Sequence, residues 1–373
     1  MEVLERAQDL ERSGRSIIHM EVGEPDFPTP SHIVEAANKA LRAGETKYTH
    51  SLGLLPLREA ITEHYKQKFG VDISPDQVIV TSGTSPAMLL LFMGLLEHGD
   101  EVIMSNPHYA CYPNFVEYSG GRSEFIYTRE EKGFVLEPEQ VQNSINERSK
   151  AILINSPCNP TGHVMDNKTM RSICEAACDI PIISDEIYQG LVYKGKDHSV
   201  LEYTDNAFVL NGFSKLYAMT GWRLGYLIAP RECVRPLQKM QQNFFISANN
   251  FVQHAGVAAL RGPQDHVKEM IGEYDRRRKY MLKRLNEIGL TVKCEPNGAY
   301  YILACAKEYG SDSLELSRDL LEKAGIATTP GIDFGNGAEG YLRLSYSNSM
   351  ENIKEGMDRL DSYLKNLKCS KIL

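Results

Sequence analysis

The feature that most constrains the fold is a series of short apolar runs in the middle of the chain. They cover residues 78–81, 101–104, 124–127, 151–154, 181–184, 208–210 and 224–228. Runs of this length that are rich in valine and isoleucine are typical of strands buried on both faces. Helical patterns lie between several of them, over 86–97 and 168–178. Strands that alternate with helices predict a mainly parallel α/β sheet with helices on both faces.

The pattern changes near residue 265. A long charged helix is predicted over 266–288, followed by short strands over 300–303 and 341–344 and a helix over 314–324 between them. The first twelve residues also form a helical pattern, which is too short to stand alone and is expected to pack on this second part.

A chain of 373 residues accommodates about two domains. We therefore expect a three-layer αβα large domain with a seven-stranded sheet over residues 44–270. A small α+β domain is expected from residues 1–43 and 271–373.

Composition excludes several classes of function. The net charge is −8, which argues against nucleic acid or an anionic membrane as the main partner. The longest apolar run, over 87–96, is far shorter than the ~20 residues that span a bilayer. The N-terminus lacks the apolar stretch of a secretion signal. Eight cysteines are scattered without a framework spacing, which favours free thiols and a cytoplasmic location.

Three motifs match the residue pattern of a known site but lack the structural context or the ligands that the site needs. Gly335-x-Gly337-x-x-Gly340 spells a dinucleotide fingerprint, but a strand follows it instead of preceding it. Residues 190–197 nearly spell a phosphate-binding loop, but Asp197 stands where a Mg²⁺-binding hydroxyl is needed. Cys174 and Cys178 lie four residues apart on a helix without a second ligand pair, so no metal site is expected.

Polar residues follow four of the predicted strands. Asp185 ends one strand, and Lys215, Asn159 and the segment 82–85 come shortly after three others. Open α/β sheets bind ligands beyond the carboxyl ends of their strands, so these groups are expected to meet in one crevice. Each alone has an ordinary explanation, since Asp185 could cap a helix and Lys215 could be a surface lysine. Their joint occurrence in this order favours a shared site.

These residues belong to motifs that resemble one enzyme family. Four stretches carry the resemblance: residues 21–26 (EVGEPD), Asn159-Pro160-Thr161-Gly162, Asp185-Glu186-Ile187-Tyr188 and Ser214-Lys215-x₅-Gly221-Trp222-Arg223-Leu224-Gly225. Together they resemble the fold-type I, class I and II aminotransferases of the aspartate aminotransferase superfamily, which use pyridoxal 5′-phosphate. The resemblance covers nearly the whole chain. The stretches EVGEPDFPTP and MTGWRLGY are most similar to bacterial or archaeal aspartate, aromatic or alanine enzymes.

The resemblance implies roles at the coenzyme ring. Lys215 is the lysine whose amine binds the coenzyme and then moves protons, and Asp185 is the carboxylate that keeps the pyridine nitrogen protonated. Tyr188 and Asn159 reach the ring hydroxyl. Tyr109 stacks on the ring, although a tyrosine there could also be a packed core residue.

The resemblance also implies a phosphate site and a dimer. Backbone and hydroxyl donors come from Gly83, Thr84, Ser85 and Ser214. Arg223 supplies the fixed cation. Gly212 stands where the family often has a further serine. Tyr48 matches the tyrosine that crosses to the phosphate of the other subunit, which implies a homodimer with shared active sites.

The predicted substrate site is less complete. The resemblance assigns the α-carboxylate to Arg343, with Gly23 and Asn159 beside it. An arginine inside an apolar strand is costly to bury without an anion, which independently favours a ligand. No second arginine matches the one that binds a dicarboxylate. Candidates for the side-chain pocket are Ile17, Tyr48 of the partner subunit and residues 243–250.

The sequence therefore predicts a transaminase with a ping-pong mechanism. It would transfer an amine from an aspartate-like or broader range of L-amino acids to a 2-oxo acid, for which 2-oxoglutarate is expected. One alternative is a C–S β-lyase or another elimination on the same scaffold. A more remote one is a non-catalytic coenzyme-binding regulatory domain, which would need a DNA-binding module that the chain does not show.

Overall fold

The computed structural model describes residues 2–372, so Met1, where the first predicted helix starts, and Leu373 lie outside this range. The helices are α1 (Glu2–Arg12), α2 (Ser31–Arg42), α3 (Leu55–Phe69), α4 (Thr84–Leu95), α5 (Tyr112–Tyr118), α6 (Pro138–Ser144), α7 (Asn167–Ala176), α8 (Arg231–Phe244), α9 (Asn250–Arg261), α10 (Asp265–Ile288), α11 (Ser313–Asp319) and α12 (Met350–Ile372). The strands are β1 (Ile18–His19), β2 (Val78–Thr81), β3 (Glu101–Asn106), β4 (Arg122–Tyr127), β5 (Ser149–Asn155), β6 (Ile182–Asp185), β7 (Ala207–Gly212), β8 (Gly225–Ile228), β9 (Tyr301–Cys305), β10 (Ile326–Ala327), β11 (Thr329–Pro330) and β12 (Tyr341–Ser345).

The central sheet has seven strands in the order β2-β8-β7-β6-β5-β3-β4. Only β8 runs antiparallel to its neighbours, β2 and β7, and the remaining pairs are parallel. All seven strands predicted from the apolar runs belong to this sheet. The prediction of a mainly parallel seven-stranded sheet is confirmed.

Helices cover both faces of this sheet. Along β6, Ile182 belongs to a hydrophobic cluster with Leu57 of α3 and Val252 of α9. Its neighbour Ile183 belongs to another cluster, with Leu91 of α4. Successive strand residues point to opposite faces, so the two clusters are the two cores of a three-layer αβα arrangement.

The second part of the chain forms two smaller sheets. Strands β11, β12 and β9 form one antiparallel sheet, and β1 pairs with β10. Helix α1 packs here as expected, since Ala7 and Leu10 cluster with Leu321 and Ala327. The predicted helix over 314–324 is α11, which continues beyond Asp319 as one π-helical turn.

The domain boundaries, 44–270 against 1–43 with 271–373, stay a proposal. Its support is the strand membership. The seven-stranded sheet uses only residues between 78 and 228, whereas the smaller sheets use residues 18–19 and strands that lie between 301 and 345.

The described part of the chain also bears on partners. No helix within residues 2–372 is long and apolar enough to cross a membrane. In that same range no three metal-binding side chains cluster. Seven cysteines are free thiols, while the side chain of Cys369 lies outside the described part.

Candidate active site

A cavity of about 650 Å³ lies at the carboxyl ends of the central strands. Most of the predicted site residues line it: Gly23, Thr84, Ser85, Tyr109, Asn159, Asp185, Tyr188, Ser214, Lys215, Arg223 and Arg343. Gly83 is not part of the lining but precedes Thr84 in the chain. Tyr48 is not brought to this cavity by its own chain.

Asp185 is the last residue of β6 and is almost fully buried. Its Oδ2 accepts a 2.7 Å hydrogen bond from the hydroxyl of Tyr112, and its Oδ1 accepts one of 3.1 Å from the backbone N–H of Ile187. Burial raises the pKa of Asp185 to about 6, while the bonds from Tyr112 and Ile187 act to lower it. A positive group placed beside this carboxylate would stabilise its charged form.

Lys215 lies in the loop between β7 and β8. Its Nζ donates a 2.7 Å hydrogen bond to the carbonyl oxygen of Gly23. Burial is the main cause that lowers the pKa of Lys215 to about 8; Arg343 and Arg223 act in the same direction, while Glu24 and Asp185 act to raise it. A lysine whose pKa is this low carries a substantial neutral fraction near pH 8 and can act as a nucleophile and a base.

The loop that carries Lys215 contains strained backbone. Ala218 and Arg223 have φ angles of 50° and 54°, in the left-handed region that non-glycine residues rarely adopt. Such conformations cost about 1–3 kcal/mol each and cluster at functional sites. Here they turn the chain back within ten residues, so that Lys215 and Arg223 both reach the cavity.

Tyr188 contacts a residue that sequence reasoning missed. Its hydroxyl lies 2.8 Å from that of Tyr301, and both side chains are buried. The Tyr301 hydroxyl also occupies the place that a side chain at residue 23 would take, which explains why that residue is glycine. The carbonyl of Gly23 accepts a second bond, 2.9 Å, from Tyr300.

Asn159 and Arg343 are joined directly. Asn159 Oδ1 accepts a 2.9 Å hydrogen bond from Arg343 Nη1, and both residues are buried. Because arginine can only donate, the carbonyl of the amide faces Arg343 and its NH₂ group points elsewhere. That NH₂ group is available to donate to another acceptor in the cavity, as the predicted role at the ring hydroxyl requires.

Arg343, in the middle of β12, contacts two aromatic rings. Its guanidinium carbon lies 4.3 Å from the ring centre of Tyr301 and 4.9 Å from that of Phe334. Nη2 donates to the Glu21 carbonyl and, at 3.0 Å, to Thr329 Oγ1. The buried Nε has no protein partner. An unpaired buried N–H is costly, so the geometry favours an anion bound at this arginine.

A phosphate-sized anion has donors at the other end of the cavity. Thr84 and Ser85 form the first turn of α4, where backbone N–H groups are free and the helix dipole favours negative charge. A Cβ atom at Gly83 would lie 2.6 Å from Arg223 Nη2, so glycine allows the arginine to approach this turn. Arg223 itself is exposed and donates from Nη1 to the Thr220 carbonyl at 3.0 Å.

Tyr109 lies beside the Asp185 carboxylate and its partner. Its ring meets the ring of Tyr112 edge to face, with centroids 5.2 Å apart. Tyr112 was not identified from the sequence, because an aromatic residue in the first turn of a short helix is typical of ordinary core packing. The sequence signal that could have identified Tyr112 was its position three residues after Tyr109.

The far wall of the cavity differs from the sequence expectation. It is formed by Val3 and Leu4 of α1, Leu314 of α11 and Pro330 of β11. Ile17 lies elsewhere, in the cluster of α1 with Leu321, so the suggestion that it lines the pocket is wrong. Residues 243–250 do not line the cavity of their own chain either. The helical pattern of the first twelve residues predicts α1 but does not show which end of that helix lies at the cavity.

Comparisons with known proteins agree with this geometry. Residues 15–360 match the family described as aminotransferase class I and II. The chain is 44% identical over 370 residues to a (5-formylfuran-3-yl)methyl phosphate transaminase of Methanocaldococcus jannaschii, with 98% of this chain and 96% of the relative covered. It is 39% identical to aromatic-amino-acid aminotransferase 2 of Thermococcus litoralis, with 96% and 95% covered.

A solved structure shows the same fold. The aspartate aminotransferase of Thermus thermophilus with maleate superimposes with a TM-score of 0.93 at 36% identity, covering 96% of this chain and 95% of that one. The chain therefore belongs to the class I and II aminotransferases, enzymes that use pyridoxal 5′-phosphate.

Proposed function

We propose that the chain transfers the amine of an L-amino acid to a 2-oxo acid, with 2-oxoglutarate as the acceptor and with aspartate-like or broader donor specificity. The observation that carries this proposal is the convergence of Lys215, Asp185 and Arg343 on one cavity. The three groups offer a nucleophilic amine, a buried carboxylate and a buried cation whose Nε lacks a partner.

The residues present fit pyridoxal 5′-phosphate. Asp185 is a buried carboxylate that a protonated pyridine nitrogen would pair with. The first turn of α4 and Arg223 offer the donors that a phosphate requires. When bound, the coenzyme supplies an electron sink that allows the bond between Cα and its hydrogen to break.

The remaining chemistry belongs to the chain. Arg343 binds the substrate α-carboxylate, and Asn159 and Thr329 hold the guanidinium in place. Lys215 Nζ, neutral in a large fraction near pH 8, would take the proton from Cα and pass it to carbon C4′ of the coenzyme. In the second half of the reaction it would move a proton in the opposite direction. Tyr188, fixed by Tyr301, and the NH₂ group of Asn159 hold the ring hydroxyl. Tyr109 packs against the ring face.

The same residues serve both halves of the reaction. An amino acid gives up its amine and leaves as a 2-oxo acid, and a second 2-oxo acid then enters the same site and leaves with the amine. Arg343 therefore has to bind the carboxylate of four different molecules that share this group, which favours recognition through the carboxylate and tolerance of the side chain.

The cavity wall favours the broader specificity. Among residues 2–372, the cationic side chains that line the cavity are Lys215, Arg223 and Arg343, and the proposal assigns a role to each. Apolar side chains of α1 and α11 also line the cavity, together with the carboxylates of Glu2 and Asp333. A panel of amino donors with 2-oxoglutarate, followed by glutamate formation, tests the proposal. Turnover with none of the donors, or only with acceptors other than 2-oxoglutarate, would contradict it.

We also propose a homodimer in which Tyr48 reaches the phosphate site of the partner subunit. Tyr48 is 80% exposed. Phe244 and Ile246 are exposed apolar residues, and the bond from Thr49 N–H to Ser247 Oγ, 3.2 Å, brings their segment next to Tyr48. A contiguous exposed apolar patch is typical of a protein interface.

The free thiols support the further proposal of a cytoplasmic location.

A further inference from the structure

The glycine motif over 335–340, which spells a dinucleotide fingerprint, has a different task in this fold. The motif contains a 3₁₀ turn over residues 336–338, and β12 follows it, as the sequence predicted. Instead the motif packs onto Asn106, the last residue of β3, which is almost fully buried. We propose that Asn106 is a positioning residue that clamps the 334–337 loop against the end of β3 and thereby holds the Phe334 ring in contact with Arg343.

Three hydrogen bonds form this clamp. Asn106 Oδ1 accepts from the Gly337 N–H at 3.0 Å, and Asn106 Nδ2 donates to Asn336 Oδ1 at 2.8 Å. Two residues further along the chain, the His108 N–H donates to the Phe334 carbonyl at 3.0 Å. The carbonyl of Asn106 is itself fixed, because it accepts from the Thr128 N–H at 3.0 Å.

The glycines allow this close approach. A Cβ atom at Gly335 would lie 2.5 Å from Asn106 Oδ1, and one at Gly337 would lie 2.7 Å from the same atom and 2.9 Å from the Asn106 carbonyl oxygen. Real Cβ atoms do not approach other heavy atoms this closely, so only glycine lets the loop reach the asparagine. The spacing of the two glycines therefore follows from the packing of the loop around one side chain.

The clamp connects to the substrate site through Phe334. The centre of this buried ring lies 4.9 Å from the guanidinium carbon of Arg343, which also contacts the ring of Tyr301. The segment that holds the loop, residues 106–108, leads directly into Tyr109, which lines the same cavity. Loss of the clamp would allow Phe334 to move away, and an arginine that has lost one of its two ring contacts binds a carboxylate in a less defined orientation.

The inference rests on the proposed role of Arg343 as the carboxylate site. The test compares holoenzyme variants by three constants: kcat, the KM values for the amino donor and the 2-oxo acid, and the Kd of maleate. Maleate binding is followed by the fluorescence of Trp222, the single tryptophan of the sequence. For Asn106→Ala we expect KM and the maleate Kd to rise by about fivefold or more, with kcat changed less than about threefold. Asn106→Asp keeps the acceptor for the Gly337 N–H, and the exposed Asn336 can turn its amide to donate to it, so most of the affinity returns.

Other variants separate the possible outcomes. If Asn106→Ala fails to fold, Gly337→Ala, which pushes the loop away from Asn106, is expected to raise the same constants. Gly310→Ala is the matched control, because a Cβ atom there meets nothing within 4 Å. A maleate Kd and KM values within twofold of the wild-type protein in the folded clamp variants, or no recovery in Asn106→Asp, would overturn the inference. If Arg343→Gln also leaves KM unchanged, the proposed function of Arg343 fails, whereas a large effect of Arg343→Gln alone refutes only the clamp.

Discussion

The hydroxyl of Tyr112 donates a 2.7 Å hydrogen bond to the Oδ2 atom of Asp185, and both side chains are buried. This bond stabilises the charged carboxylate against the burial that raises its pKa to about 6. The acid at the carboxyl end of β6 is thus kept ionised near neutral pH with the help of a tyrosine from the first turn of α5. Because the coenzyme is expected to pair with the charged form, Tyr112 should influence its binding.

We predict that Tyr112→Phe weakens coenzyme binding mainly at low pH. Without the donated bond, the pKa of Asp185 rises above about 6, so more of the carboxylate is protonated at pH 6–7. The coenzyme Kd, measured against pH, should increase several-fold at pH 6 and return towards the wild-type value near pH 8. Asp185→Asn is the control that should weaken binding at every pH. An equal loss of affinity across the pH range in Tyr112→Phe would contradict this explanation.

The uptake of coenzyme should depend on the ionisation of Lys215. Only the neutral amine reacts with an aldehyde, and burial lowers the pKa of Lys215 to about 8. The uptake rate of the coenzyme-free protein should therefore rise up to about pH 8 and then level off. Because Glu24 raises this pKa, Glu24→Gln should move the plateau to lower pH, and Glu147→Gln, at an exposed site, should not. A rate that continues to rise beyond pH 10, as for an ordinary lysine, would refute the assignment.

Gly23 and Tyr301 should be energetically coupled. A methyl group at residue 23 would overlap the Tyr301 hydroxyl and lie 2.7 Å from its Cζ, so Gly23→Ala should destabilise the protein by about 1–3 kcal/mol. Tyr301→Phe removes the nearest atom, and the double variant should recover part of this loss in a double-mutant cycle of unfolding free energies. Gly272→Ala in α10, where a Cβ atom meets nothing, is the control. Strictly additive effects would mean that the two residues do not compete for this space.

Mixing two defective variants tests the shared active site. If Tyr48 completes the site of the partner subunit, a hybrid of Lys215→Ala and Tyr48→Ala chains contains one site with both residues intact. Refolding the two together should give activity clearly above the sum of the separate variants. Activity no greater than that sum would show that each chain uses its own Tyr48 or none. Refolding each variant with wild-type chains controls for losses during the procedure.

Sequence reasoning reached the fold through local signals, whereas the resemblance to a family supplied the candidate site residues. The apolar runs are buried on both faces, so they identify β6, and with it Asp185 at the strand end, without any tertiary information. Tyr301 and Tyr112 were missed because their neighbours come from distant segments, and a tyrosine in an apolar strand or a short helix is typical of core packing. Asn106 was missed for the same reason, since its partners lie about 230 residues away.

The glycine motif at 335–340 is another case in which the sequence alone did not reveal a long-range contact. The sequence could exclude a dinucleotide site because the motif precedes a strand, but it could not identify Asn106 as the reason for the glycines. Contacts between segments far apart in the chain decide such positions, and they leave no periodic pattern in either segment.

The central claim is that Lys215 and its neighbours carry out transamination, and a single half-reaction tests it. The purified protein with coenzyme, given an amino donor and no acceptor, should lose its visible absorption band and form one equivalent of 2-oxo acid per site. Addition of 2-oxoglutarate should restore the band. The Lys215→Ala variant should show neither the loss of the band with the donor nor its return with 2-oxoglutarate. Continued release of 2-oxo acid and ammonia without an acceptor would instead show an elimination enzyme and contradict the proposal.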